Sequence, residues 1–184
     1  CGAYSYALDG VHPFILLNHK DNMDSMFTLA HEMGHALHSY YSNKENNPSY
    51  RNYTIFVAEV ASTVNEVLLM KHLLSKTTDK KMKMYLINQF LEQFRGTMYT
   101  QTMFAEFEHI IHKRVENNEP LTAEIFNQIY AELNDHYDGG KITKGENAGI
   151  GWSTIPHFYS SFYVYKYATG FSAAISLAKQ ILEE

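Results

Sequence analysis

The sequence predicts a mainly α-helical fold with a small β-sheet or hairpin at about residues 3–17. Three observations point there. Apolar residues recur at helical spacing, as at Met26, Leu29, Met33 and Leu37. Two short apolar runs bounded by turn residues lie before residue 18. Breakers at Asn46-Asn47-Pro48, Glu119-Pro120 and Gly139-Gly140 divide the remainder into helical lengths.

The elements follow in order. Residues 1–17 read as extended: Ala3 to Leu8, a turn at Asp9-Gly10, then Pro13 to Leu17. Such strands either cover a core or expose an edge that pairs with an extended peptide. A helix from Met26 to Tyr41 follows, with Asp24 or Asn22 to cap it and Ser42-Asn43 then Pro48 to end it. A second runs from near Thr54 to about Leu74 and is nearly all apolar, so it should be buried. From about Asp79 to Glu116 one long helical pattern continues, with a kink expected at Gly96. His109 and His112 near its end read as structural. Thr122 caps a helix to about His136, which Gly139-Gly140 stops. The glycines of Lys141 to Gly151 suggest a mobile segment over a cleft, without the order of a phosphate loop. A last helix spans about Tyr167 to Leu182.

Chemistry concentrates in His31-Glu32-Met33-Gly34-His35. Residues four apart lie one above the other on a helix, so His31 and His35 can grip one metal ion. Glu32 sits about 100° round the helix, where it can reach a water held on the metal and act as general base. The alternative is an amphipathic helix whose two histidines are satisfied in a core. On the second helix Glu59, Ser62 and Glu66 share a face. A carboxylate on a buried helix needs a partner, because an unpaired charge there is costly. A zinc ion held by two His and one Glu leaves a fourth position for water, so Glu59 is the expected third ligand. Glu66, and Ser62 beside it, would bond to the ligands from outside. The competing reading pairs Glu59 with Lys71 or Arg51. His38 extends the histidine face as a substitute ligand, a contact outside the ligands or a core hydrogen-bonding group.

The densest aromatic stretch holds Trp152, His157, Phe158, Tyr159, Phe162, Tyr163, Tyr165 and Tyr167. It is either packing or, beside a metal, the source of a His or Tyr donor to an oxyanion.

Length and composition bound the rest. The 184 residues make one domain, 1–184, or part of one. A net charge of −5 argues against a nucleic-acid surface. No run of about 18 apolar residues predicts a membrane span. The single Cys1 suits a reducing, cytoplasmic compartment. The chain opens on Cys rather than Met, so a piece of a longer protein is expected.

Taken together, Thr28-Leu-Ala-His-Glu-Met-Gly-His-Ala-Leu-His38, Ala58-Glu-Val-Ala-Ser-Thr63 and Ile155-Pro-His-Phe-Tyr159 resemble the oligoendopeptidase F group of the M3, thimet-oligopeptidase-like, zinc peptidases. Gly2-Ala-Tyr-Ser5 and Pro13-Phe-Ile-Leu-Leu-Asn18 are similar to that group too. The resemblance implies a zincin-like helical catalytic core with a small sheet at the cleft. It implies one Zn2+ ion held by His31, His35 and Glu59, with Glu32 as base. His157 and Tyr165 would bond substrate or the transition-state oxygen, with Tyr159 and Tyr163 as further candidates. Short oligopeptides would be cleaved in a deep channel, part of whose wall comes from a helical N-terminal region absent from these residues. The alternatives are a zinc carboxypeptidase of similar build and a non-catalytic helical module with a residual metal site.

Overall fold

The computed structural model describes residues 2–183, with Ile55 described by its backbone alone. Cys1, which the sequence analysis used, and the Ile55 side chain lie outside what is described. The order is β1 (Ala3–Tyr6), β2 (Phe14–Leu17), α1 (Met23–Glu45), α2 (Ile55–Lys76), α3 (Lys80–Phe94), α4 (Gln101–Glu116), α5 (Ala123–Tyr137) and α6 (Tyr165–Glu183). The mainly α fold with one small sheet is as expected.

The chain divides into two compact units, Cys1–Glu92 with Thr169–Glu184, and Gln93–Ala168. In the first, β1 and β2 pair antiparallel, Ala3 against Leu17 and Tyr6 against Phe14. Side chains alternate across a strand, so Tyr4, Tyr6, Phe14 and Leu16 share the exposed face. Both strands also contact α1. Asn22 caps α1, its Oδ1 accepting from the Ser25 N–H at 2.9 Å. The helix does not stop at Ser42-Asn43 but runs on to Glu45. Ser and Asn are poor helix formers yet not breakers, and the chain turns away only ahead of Pro48. A core of Phe27, Met70 and Leu86 joins α1, α2 and α3. The expectation that α2 is buried throughout needs correction: Val67 and Met70 are buried, but Phe56 and Val57 are exposed. Val57, Val60, Val64 and Leu68 line an open groove of about 500 Å³ with Leu37, Leu177 and Ile181.

In the second unit, Met103 and Phe107 of α4 pack with Ile129, Tyr130 and Leu133 of α5, and Trp152 lies against this core. Where a kink was expected at Gly96, Arg95–Thr100 forms a π-helical turn between α3 and α4. Thr122 caps α5, and Gly139 and Gly140, both at φ +65°, end it in a conformation that glycine adopts freely. The mobile-segment reading of 141–151 is corrected in part. Ala148–Thr154 is a 3-10 turn packed on α5. A Cβ on Gly149 would lie 2.9 Å from the Asn127 carbonyl oxygen, and one on Gly151 2.9 Å from the Tyr130 ring. Those two glycines permit close packing rather than movement.

Candidate active site

The first unit brings α1 and α2 together at Gly34. A Cβ there would stand 2.5 Å from the Ser62 Cα and 2.8 Å from the Ala61 carbonyl oxygen, so only glycine allows this approach. Ser62, at the contact, is fully buried. Three residues on, the Asn65 amide donates to the Ala30 carbonyl oxygen at 2.6 Å and fixes the helices' relative height. With the backbones this close, side chains from one helix reach those of the other.

His31 and His35 stand one turn apart, their Nε2 atoms 3.2 Å from each other. Glu59 completes the group: its Oε2 is 3.3 Å from His31 Nε2 and 3.7 Å from His35 Nε2. One ligand atom from each, all within 4.8 Å, makes a set that could hold a metal ion. Neither cation of the competing reading takes Glu59, and Arg51 pairs instead with Asp9. The Ser62 hydroxyl contacts both the Glu59 carbonyl oxygen at 3.0 Å and its Oε2 at 3.2 Å. Gly170 of α6 lies 3.8 Å from the Glu59 Cβ, measured from where its own Cβ would be. Glu66 accepts from His31 Nδ1 at 2.6 Å, which turns the other ring nitrogen toward Glu59 and His35. Glu32 is buried on α1, and its charge acts on His35.

The electrostatics are those of a cation site. Burial by itself lowers the pKa of His31, but the hydrogen bonds of Glu59 and Glu66 outweigh it and raise it to about 10. Two carboxylates thus converge where a positive charge is wanted. Burial, helped by the neighbouring His31, holds the pKa of His35 below its ordinary value against the opposing pull of Glu59. Burial would raise the Glu59 carboxyl, yet its histidine partners bring it below the ordinary range. His38 is not in the group. It stacks on Tyr53, ring centroids 3.8 Å apart.

His157, Tyr159, Tyr163 and Tyr165 belong to the second unit. There His157 sits in the 3-10 turn Pro156–Tyr159, stacked on Tyr163 with centroids 5.2 Å apart. The Tyr167 hydroxyl lies 3.3 Å from His157 Nε2. Tyr165 opens α6, and Tyr159 is 90% exposed, outside this cluster. Tyr167 as the partner of His157 was not read from the sequence, where it appeared only as one tyrosine of a run. Gly34 and Asn65 were missed as well. A glycine inside a helix and a lone amide on an apolar one were the available signals.

The protein-family model for peptidase family M3 matches residues 1–184. Oligopeptidase PepF of Bacillus subtilis is 51% identical over 183 residues, covering 100% of this chain and 27% of the relative. The crystal structure of oligoendopeptidase-F from Enterococcus faecium superposes with a TM-score of 0.75 at 45% identity, over 88% of this chain and 29% of that one. That of a candidate peptidase from Chlamydophila abortus gives 0.87 at 40% identity, over 100% and 31%. The chain therefore spans under a third of the length of these relatives. With a matching model along its whole length and a two-histidine, one-glutamate cluster, the chain belongs to peptidase family M3.

Proposed function

We propose that this chain is the catalytic core of a zinc-dependent endopeptidase that hydrolyses short oligopeptides. One observation carries the reading: the separations of the three ligand atoms, 3.2, 3.3 and 3.7 Å. Zinc bonds of roughly 2.0–2.2 Å in a tetrahedron put neighbouring ligand atoms about 3.4 Å apart, so the cluster has the dimensions of one zinc ion. The names of its relatives, oligopeptidase and oligoendopeptidase, support the substrate class.

Held by His31, His35 and Glu59, zinc supplies Lewis acidity that polarises a carbonyl and acidifies water. Glu32 accepts the proton of the attacking water and delivers it to the leaving amine. His157 and Tyr165 donate to the oxygen on which negative charge develops. Glu66 keeps His31 in the tautomer that offers Nε2, and Ser62 restrains the Glu59 carboxylate. The hairpin offers an extended peptide a strand to pair with. The proposal extends to a single domain over 1–184, a cytoplasmic setting that suits the lone cysteine, and further helical chain outside these residues that completes the channel.

The test is Glu32→Gln. It keeps the shape of the side chain and removes the base, so zinc content should stay at one per chain while cleavage of an internally quenched peptide is largely lost. Normal cleavage by that variant would remove Glu32 from its role. Amidated peptides should be cut as readily as free ones, which a carboxypeptidase would not do.

A further inference from the structure

The second unit buries a carboxylate that no step above uses. Glu108 of α4 is 2% exposed, and its Oε1 accepts from the Phe162 backbone N–H at 2.7 Å. Phe162 is one of two described non-glycine residues with positive φ, at +56°. A bulky side chain adopts that left-handed conformation only where its surroundings impose it. One turn along the same face of α4, the His112 ring meets the Phe162 ring with centroids 4.7 Å apart. Glu108 thus holds the backbone of residue 162 and His112 its side chain. Beyond it, Val164 is fully buried and fixes the other end of the turn.

The place of this turn gives it meaning. It joins the 3-10 turn bearing His157 to α6, which opens at Tyr165. The left-handed step reverses the chain, so that Tyr163 stacks back on His157 and Tyr167 reaches its Nε2. We propose that Glu108 is a positioning residue: by binding the Phe162 N–H it imposes the left-handed turn that sets His157 and Tyr165 for their part in hydrolysis. This rests on the reading of His157 and Tyr165 as donors, while the turn itself is open to a separate test.

That test uses the full-length, zinc-loaded enzyme and two readouts, amide exchange at residues 160–163 by mass spectrometry and steady-state cleavage of a quenched oligopeptide. Glu108→Ala should unprotect the Phe162 amide and lower kcat by about 10- to 100-fold, the effect of misplacing catalytic groups by an ångström or less. KM and zinc content should barely change. Glu108→Gln keeps an acceptor oxygen and should restore both readouts. Phe162→Gly accepts the left-handed conformation freely and should keep kcat within about threefold, whereas the β-branched Phe162→Val should lose it as Glu108→Ala does. This pair keeps the proposal open to refutation even if Glu108→Ala does not fold. Native exchange protection in Glu108→Ala, or equal losses for Phe162→Gly and Phe162→Val, would overturn it. His157→Ala, measured beside them, separates the two claims. If it keeps full kcat while Glu108→Ala still frees the turn, the donor reading fails and Glu108 loses its catalytic part but keeps its structural one.

Discussion

The two units hold their chemistry-bearing residues by different means. In the first, His31, His35, Glu59 and Glu66 all stand on the regular helices α1 and α2, and helix geometry sets each direction. In the second, His157, Tyr163 and Tyr167 gather around short turns, and a single buried carboxylate holds the reversal between them. The difference teaches where precision comes from. A site on two packed helices inherits the rigidity of both, whereas a site on turns depends on individual anchors.

Several measurements could break or sharpen that contrast, and the largest effect should come from metal removal. Chelation should abolish hydrolysis yet leave the emission of Trp152 unchanged, because that ring packs within the second unit against Phe107 and Phe126. A spectral shift on chelation would show the second unit to depend on the metal. Next, Phe107→Ala should cost about 3–5 kcal/mol in denaturant unfolding, since Phe107 is almost fully buried and its loss leaves a cavity. Glu66→Gln should weaken zinc binding about 10- to 100-fold, as read in a competition assay with a chromophoric chelator. An unchanged affinity would mean that α1 alone orients His31.

Gly34→Ala should destabilise by about 1–3 kcal/mol, because its Cβ meets backbone that must move. Zinc affinity should fall with it if close helix packing sets the position of Glu59. The smallest effect concerns pH. Burial, and then the hydrogen bond to Glu106, raise the Tyr137 phenol from 10.0 to about 12. A raised pKa in the folded state favours the protonated form, so its stabilising effect is complete below pH 10 and fades as pH rises through about 12. The stability difference between wild type and Tyr137→Phe should shrink over that window, and a constant difference would refute it.

Much of the first unit was legible because its signals are local. Four-residue spacing placed His31 over His35, and a carboxylate on an apolar helix demanded a cation. Gly34 escaped notice because its meaning lies in the helix opposite, not in its neighbours along the chain. The end of α1 was misjudged for a related reason: Ser42 and Asn43 weaken a helix, but packing and the Ser42 hydroxyl's bond to the Arg51 carbonyl oxygen carry it onward. In the second unit, the glycines at 149 and 151 suggested mobility, while their neighbours Asn127 and Tyr130, about twenty residues away, explain them as contacts.

By itself the sequence determined which residues are chemically able to act, and which helices carry them, because hydrophobic period, caps and ligand spacing are properties of short stretches. Only the tertiary structure decided that Glu59 meets both histidines, that Tyr167 partners His157, and that Glu108 reaches across to Phe162. Such pairings depend on how closely two backbones approach, and that distance is set by packing among residues far apart in the chain.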